Sequence, residues 1–338
     1  GLTGGKKYIH GVVVGTKIYA IPRNENSIGV IDTANNDAFT TIATGLTRMD
    51  KFIHGLAVGT KIYAVPFSGN NIGIIDTANN DAFTTVATGL TGEKKYRVGV
   101  AVGTKIYLIP YSQDSFGVID TSNNDAFTTI ATGLTGNEKF IYGLAVGAKI
   151  YAIPYDQNSI GVINTANNDA FTTIPTGLSG IRKYVTGVVV GAKIYAMSFN
   201  QNNVGVIDTA NSDAFTTIAT TGVTRDGKFI HGVNTNGKIF MIPYMQNAVG
   251  VLALPCTPTS AANSDKQATD AIAGVAGDQV TVTCITNHHV NGTISTVGTA
   301  TCGTDQVFAS VPSCVPDPTC ADIDGGDSAD TNAFSSCV

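Results

Sequence analysis

Short apolar runs separated by turn residues make up most of the chain. Near the N-terminus they are residues 11–15, 17–22, 28–32 and 39–44, bounded by Gly, Asn and Asp. Runs of this length that are rich in Val, Ile, Tyr, Phe and Thr are typical of β-strands. The first two runs are apolar at successive positions rather than alternating, so they predict strands that are covered on both faces.

The same group of four runs recurs along the chain. Its Lys-Ile-Tyr/Phe start is found at offsets of 44, 44, 44, 44 and 45 residues, at Lys17, Lys61, Lys105, Lys149, Lys193 and Lys238. A period of ~40–50 residues is typical of propellers and solenoids. Four strands per repeat, packed between similar sheets, predict an all-β fold, a six-bladed β-propeller with four-stranded blades. A β-solenoid with two coils per repeat is the alternative, but it does not explain four strands of unequal character.

The two ends of the repeat region complement each other. The sixth repeat lacks the last strand, while residues 1–8 (GLTGGKKY) match the mid-repeat text at 89–96 (GLTGEKKY). We therefore expect the chain to be part of a longer protein. The sixth blade would combine three strands from the C-terminal side with one from upstream. A seventh blade lying wholly upstream is the alternative.

The residues that the copies of the repeat share are explained in part by its turns. Gly15, Gly59, Gly103, Gly147 and Gly191 lie where a tight hairpin needs positive φ. In the DTANNDA segment, the first Asp is expected to accept a hydrogen bond from a backbone amide two residues later. A calcium site is the weaker interpretation, because Asn164 replaces this Asp in the fourth copy. No metal site or cofactor is predicted.

The repeat text also resembles a known family. The string KIYAIP…NSIGVIDTANNDAFTTIATG, over about residues 6–254, looks like the YVTN-type β-propeller repeats of microbial surface proteins. Their IDT-Asn turn is the most specific shared part, although IYAIP stands where that family has its name-giving motif. The resemblance implies a surface, adhesive or structural role, and it brings no catalytic motif.

The cysteines indicate a second kind of module. All of them lie after residue 255, at Cys256, Cys284, Cys302, Cys314, Cys320 and Cys337. Without histidines at zinc-ligand spacing, they predict disulfides and a secreted or cell-surface protein. Four cysteines alone allow three pairings.

Residues 256–314 resemble a sushi (complement-control) module, with Phe308 near the position of its usual Trp. The resemblance implies Cys256–Cys302 and Cys284–Cys314 bridges. We expect a propeller over 1–255, this module over 256–315, and a further cysteine-containing segment over 316–338. Asn291-Gly292-Thr293 is a candidate N-glycosylation site.

Differences between the copies indicate where binding could occur. The loop after the second strand begins with an aromatic residue in five copies, at Phe67, Tyr111, Tyr155, Phe199 and Tyr244. Loops on a rigid scaffold often bind ligands, so these rings are a candidate partner or ligand face. The alternative is that they only cover blade edges. His10, His54 and His231 occupy one repeat position and are expected at one sector of the channel mouth, too far apart for a shared metal.

Composition narrows the possible functions. Charged residues make up 13% of the chain, the net charge is −5, and no Lys/Arg stripe favours nucleic acid. No apolar run has membrane-spanning length. No catalytic motif is visible, and near-identical blades argue against an asymmetric active site, so we expect no enzymatic activity. The sequence predicts an extracellular structural or filament-forming module whose partners are copies of itself or other extracellular proteins. The alternative is a multivalent carbohydrate-binding or adhesive propeller.

Overall fold

The computed structural model describes residues 5–256, 258–285, 288–291, 293, 295–303 and 307–316, and these contain strands and turns only. The segment predicted over 316–338, with Cys320 and Cys337, therefore lies outside the described residues, apart from Pro316. The chain divides into two compact units. One comprises Gly1–Gly232 and Met241–Val249, and the other comprises Val233–Phe240 and Gly250–Val338. The predicted domain boundary at residue 255 stays a prediction.

Each of the first five repeats forms one antiparallel four-stranded sheet, with its strands in sequence order. The strands of the first sheet are β1 Tyr8–Val14, β2 Lys17–Pro22, β3 Ser27–Asp32 and β4 Ala38–Ala43. Those of the second are β5 Phe52–Val58, β6 Lys61–Pro66, β7 Asn71–Asp76 and β8 Ala82–Ala87. The third has β9 Tyr96–Val102, β10 Lys105–Pro110, β11 Ser115–Asp120 and β12 Ala126–Ala131. The fourth has β13 Phe140–Val146, β14 Lys149–Pro154, β15 Ser159–Asn164 and β16 Ala170–Pro175. The fifth has β17 Tyr184–Val190, β18 Lys193–Ser198, β19 Asn203–Asp208 and β20 Ala214–Ala219.

The sixth repeat forms a sheet of three strands, β21 Phe229–Thr235, β22 Lys238–Pro243 and β23 Gly250–Ala253. Three strands is the number predicted for this end of the chain. The all-β propeller prediction is confirmed, and the solenoid alternative is wrong because each repeat closes into its own sheet. The first strand of each repeat begins earlier than predicted, at Phe52 in the second sheet. A register shift between Phe52 and His54 lets the strand pair with Pro66 and Val65.

The C-terminal strands belong to the second unit. They are β24 Gln279–Thr283, β25 His288–Val290, β26 Val297–Cys302, β27 Phe308–Ala309 and β28 Cys314–Pro316, in two small sheets. Disulfides join Cys256 to Cys302 and Cys284 to Cys314, which is the pairing that the sushi resemblance implies. Ile272, Val282 and Phe308 pack with the first bridge in a small core. Assignment to the sushi family itself stays a prediction.

Neighbouring propeller sheets pack face to face. Between the first two, Val12, Tyr19, Ile21, Ile28 and Val30 of the first sheet meet Phe52, Ile62, Ala64 and Ile75 of the second. Equivalent clusters join the third sheet to the fourth and the fourth to the fifth. Full burial of each large aliphatic side chain stabilises the fold by about 1.5–3 kcal/mol, so these faces account for most of the cohesion between sheets.

Close packing explains a glycine in the first strand of each sheet. A Cβ atom at Gly143 would lie 2.6 Å from Cδ1 of Ile109 on the preceding sheet. The corresponding Cβ at Gly11 would meet only Cγ2 of Ile18, at 3.6 Å, which is ordinary van der Waals contact. The glycine is therefore required where a preceding sheet packs on the strand.

We expect Gly143→Ala to lower the free energy of unfolding by about 1–3 kcal/mol, because the added methyl group overpacks the contact with Ile109. Gly11→Ala is the matched control at the same repeat position and should change stability by less than about 0.5 kcal/mol. Denaturant unfolding followed by far-UV circular dichroism measures both. Equal effects of the two variants would contradict the assignment of this glycine to sheet packing.

Candidate functional site

A lysine that precedes the first strand is buried in each of five repeats. We call these residues, Lys51, Lys95, Lys139, Lys183 and Lys228, the lysine belt, and each is at most 1% exposed. Their backbone amides link successive sheets. Lys95 N donates to Phe67 O at 2.6 Å, Tyr111 N donates to Lys95 O at 2.9 Å, and Lys139 N donates to Tyr111 O at 2.7 Å. The same alternation runs from Lys51 to Tyr244, so one chain of hydrogen bonds joins the sheets.

The lysine ammonium groups are held by oxygen atoms from two repeats. Lys95 Nζ lies 2.6 Å from Gly92 O, 3.0 Å from Asn70 Oδ1, and 3.1 Å from both Ser68 O and Gly69 O. Burial lowers the pKa of Lys95, which reflects the cost of removing the ammonium from water. Lys139 differs in having a carboxylate partner, Asp114 Oδ1 at 2.7 Å. The belt therefore fixes the loops that vary between repeats.

This arrangement was missed in the sequence. The text before the first strand, TRMDKFIH at 47–54, looks like a variable loop, yet Lys51 is buried and Phe52–His54 belong to β5. The available signal was a Lys directly before an aromatic residue in every copy, from Lys7 to Lys228. A lysine is normally expected at the surface, because lysine is almost never fully buried without partners.

The five aromatic residues of the candidate ligand face form a continuous stack. Centroid distances along Phe67, Tyr111, Tyr155, Phe199 and Tyr244 are 6.3, 6.2, 6.0 and 5.7 Å. Arg23 occupies the same position in the first repeat, and its guanidinium lies 5.7 Å from the Phe67 centroid. Phe67, Tyr111 and Tyr155 are buried, whereas Tyr244 is 56% exposed. A ligand role for the stack stays a prediction, with its accessible surface concentrated at Tyr244.

A second polar contact joins neighbouring sheets at the opposite turns. Tyr63 Oη donates to Asp125 Oδ1 at 2.6 Å, and Lys61 Nζ donates to Asp125 Oδ2 at 2.6 Å. Burial and the hydrogen bond to Asp125 raise the pKa of Tyr63. The contact is made four times, with Asp81, Asp125, Asp169 and Asp213 as acceptors. Asp37 holds this position in the first sheet, and no partner for it is found among the described residues.

The turns themselves confirm the sequence-based explanation. Asp76 Oδ1 accepts a hydrogen bond from Ala78 N at 3.1 Å, and Asn164 Oδ1 does the same for Ala166 N at 3.1 Å. An amide oxygen therefore replaces the carboxylate without losing the turn. Among the residues that the structure describes, no group of three His, Cys, Asp or Glu side chains could hold a metal ion.

The first strands surround a central cavity of about 300 Å³. Residues from two adjacent positions of the repeat line this cavity. The first position contributes Ile9, Ile53, Arg97, Ile141, Val185 and Ile230, and the second contributes His54, Val98, Tyr142, Thr186 and His231. The rings of His10 and His54 are 4.3 Å apart. Burial, followed by the effect of His10, lowers the pKa of His54 to about 4, so His54 is neutral near pH 7.

Comparisons with known proteins support the fold. No protein-family model matches the chain, and no curated protein matches its sequence. A streptogramin B lyase structure is similar over 73% of this chain and 79% of its own, with 13% identity and a TM-score of 0.56. Virginiamycin B lyase from Staphylococcus aureus covers 73% of this chain and 81% of its own, with 16% identity and a TM-score of 0.54. Kuenenia stuttgartiensis hydrazine synthase covers 75% and 80%, with 14% identity and a TM-score of 0.53. At these identities the likeness shows the fold alone.

The prediction that the chain has no enzymatic activity is contradicted by these neighbours. Two of them are lyases on a fold of the same kind. Repeated blades therefore do not argue against catalysis, because a few changed side chains on a symmetric scaffold are enough to create an asymmetric site. No helix in the described part of the chain is long and apolar enough to cross a membrane.

We expect Lys95→Met to lower the free energy of unfolding by about 2–4 kcal/mol, since it leaves buried carbonyl oxygens without a donor. Lys94→Met is the adjacent control. Lys94 is 53% exposed and pairs with Glu138 at 3.1 Å, so its loss should cost less than about 1 kcal/mol. Urea unfolding measures both variants. A Lys95→Met protein as stable as the control would refute the role of the belt.

The contact at Asp125 has an internal control. Asp125 and Asp37 both adopt positive φ, at 58° and 56°, so the backbone cost of alanine is matched. We expect Asp125→Ala to destabilise the protein by about 2 kcal/mol more than Asp37→Ala, because only Asp125 accepts hydrogen bonds from a tyrosine and a lysine. Thermal unfolding of the two variants measures the difference. Equal melting temperatures would show that the contact adds nothing to sheet cohesion.

Proposed function

We propose that the protein is an extracellular structural module that assembles with other copies of itself through uncovered propeller-sheet faces. One observation carries this proposal. Among the described residues, the two faces that pack together between neighbouring sheets are both exposed, one on the first sheet and the other in the sixth repeat.

The first exposed face lies on the first sheet. Ile62 and Ile75 of the second sheet are fully buried, but their counterparts Ile18 and Ile31 are only half-buried. Phe39 is 50% exposed. Asp37, which would receive a tyrosine and a lysine from a preceding sheet, lies on this side. The chemistry of the face therefore matches a sheet of the same repeat type.

The complementary face lies in the sixth repeat. Ile242 is 39% exposed and Val249 is 52% exposed, whereas their counterparts Val65 and Ile72 in the second repeat are 1% and 0% exposed. An exposed apolar surface of this kind is typical of an interaction site. A contact between the two different faces of successive copies is heterologous, so it leads to open filaments when the rotation does not close.

Chemistry elsewhere in the chain supports an extracellular location. Two disulfides staple the C-terminal module, and such bonds persist in oxidising compartments. Asn291 of the candidate glycosylation site is exposed. The low charge of the chain reduces repulsion between copies. Other extracellular proteins with a matching sheet face would bind in the same way.

Carbohydrate binding is the second candidate, and the exposed ring of Tyr244 favours it. Aromatic faces suit sugars, but the burial of Phe67, Tyr111 and Tyr155 leaves one such site rather than five equivalent ones. A glycan screen in which binding is lost in Tyr244→Ala would support this function.

Self-association tests the first candidate. The wild-type protein should associate as its concentration rises, as measured by sedimentation velocity, and Phe39→Lys should abolish the association by placing a charge on the apolar face. Thr41→Lys is the matched control, since Thr41 is exposed on the same strand and its counterpart Thr85 stays exposed beside a packed sheet. A wild-type protein that remains monomeric at high micromolar concentration would refute the proposal.

A further inference from the structure

One charged side chain breaks the symmetry of the central cavity. Five of the six equivalent positions carry Ile or Val, at Ile9, Ile53, Ile141, Val185 and Ile230, and the sixth carries Arg97. Ile53, Ile141 and Val185 are 7%, 8% and 8% exposed. The arginine therefore stands among apolar side chains where the repeat otherwise places an apolar residue.

Arg97 has no anionic partner among the residues that the structure describes. Its guanidinium lies 5.7 Å from the Tyr111 centroid, and no carboxylate among the described residues forms an ion pair with it. Arg23, the other arginine of the cavity, differs in this respect, because its Nε donates to Asp50 Oδ1 at 2.5 Å. Burial lowers the pKa of Arg97, and Arg23 lowers it further, whereas Tyr111, Tyr155 and the carboxylate of Glu138 act in the opposite direction. The positive charge is therefore only partly compensated.

Arg97 is half-buried, so an arginine without an ion-pair partner is expected to lower stability relative to isoleucine here, since a charge partly removed from water needs a partner. The repeat offers a more stable solution, which five copies use. A side chain that lowers the stability of the protein, compared with the residue found at the same position in the other copies, is a candidate for a functional role.

We infer that the central cavity binds a small organic carboxylate, with the carboxylate on the guanidinium of Arg97 and its apolar body against Ile53, Ile141 and Val185. The planar guanidinium presents paired N–H donors that match a carboxylate. One arginine without an ion-pair partner suits a monoanion, because Arg23 is paired with Asp50 and His54, which also lines the cavity, is neutral near pH 7. The cavity volume of about 300 Å³ lies at the lower end of small-molecule sites, which fits a compact ligand.

The hydroxyl of Thr186 and the ring of Tyr142 also line the cavity. They add a polar and an aromatic side chain to the cavity wall. This site is separate from the proposed assembly face, because Arg97, Ile53 and Ile141 lie on the first strands of their sheets, whereas Phe39 lies on β4, the last strand of the first sheet.

Benzoate is the probe for the test, with benzamide as its neutral isostere and inorganic sulfate as a control anion. Isothermal titration calorimetry of the full chain should show one benzoate per protein and no binding of benzamide. Arg97→Ile, which installs the residue of the other repeats, should weaken benzoate binding at least about tenfold and raise the melting temperature without ligand. Arg48→Gln removes an exposed arginine and should change neither quantity.

The inference would be overturned by no benzoate binding by the wild-type protein at millimolar concentration, by equal binding by wild type and Arg97→Ile, or by equal response to sulfate and benzoate. A fall in melting temperature in Arg97→Ile would show that Arg97 is there to pack on Tyr111, and would also overturn it. Arg97→Lys provides a second variant. It keeps the charge but loses the paired donors, so it should bind benzoate more weakly than wild type and more tightly than Arg97→Ile.

Discussion

A buried ammonium group shared between two repeats is the interaction on which the inner part of the propeller depends. Lys95 reaches four oxygen atoms, three of them in the loop of the preceding repeat, and its backbone joins the same two repeats through hydrogen bonds to Phe67 and Tyr111. Removing such a charge from water is costly, and the cost is offset only when every donor has an acceptor. The loops must therefore hold their backbone carbonyl groups in place. Because any residue supplies such a carbonyl group, the loop sequences can vary while the geometry of the sheets stays the same.

The two kinds of contact between sheets also explain what is exposed. Apolar faces and the contact made by Tyr63, Lys61 and Asp125 or their counterparts act together between each successive pair of the first five sheets. In the first sheet the same chemistry has no partner among the described residues, as the exposed Phe39 and the unpaired Asp37 show. The interface that builds the propeller and the interface proposed for assembly are thus the same interface. The binding proposed for the central cavity depends on a different feature. One side chain, Arg97, differs from its counterparts in the other copies, and the rigid sheets tolerate this change.

Periodicity made most of the fold predictable. The alternation of apolar runs and turn residues predicted the sheets, the three-stranded sixth repeat and the Asp-Asn turns, because these features depend on local sequence that is copied in each repeat. Lys51 and its counterparts were not predictable in this way, since most of the oxygen atoms that hold a belt lysine, such as those of Ser68, Gly69 and Asn70 around Lys95, lie 25 to 27 residues earlier in the sequence. The exposure of Phe39 was equally hidden, because its sequence context is the same as that of the packed Phe83. Arg97 was visible as a difference between copies, but only the structure places it in the cavity, with no carboxylate partner in the described part of the chain.

Native-state hydrogen exchange of the belt amides tests the account most directly. If the belt holds neighbouring sheets together, the N–H groups of Lys95, Lys139 and Lys183 will exchange only with cooperative opening of adjacent sheets, and Lys95→Met will speed exchange on both sides of the substitution. Exchange of each belt amide through independent local opening, with the effect of Lys95→Met confined to its own sheet, would contradict the account.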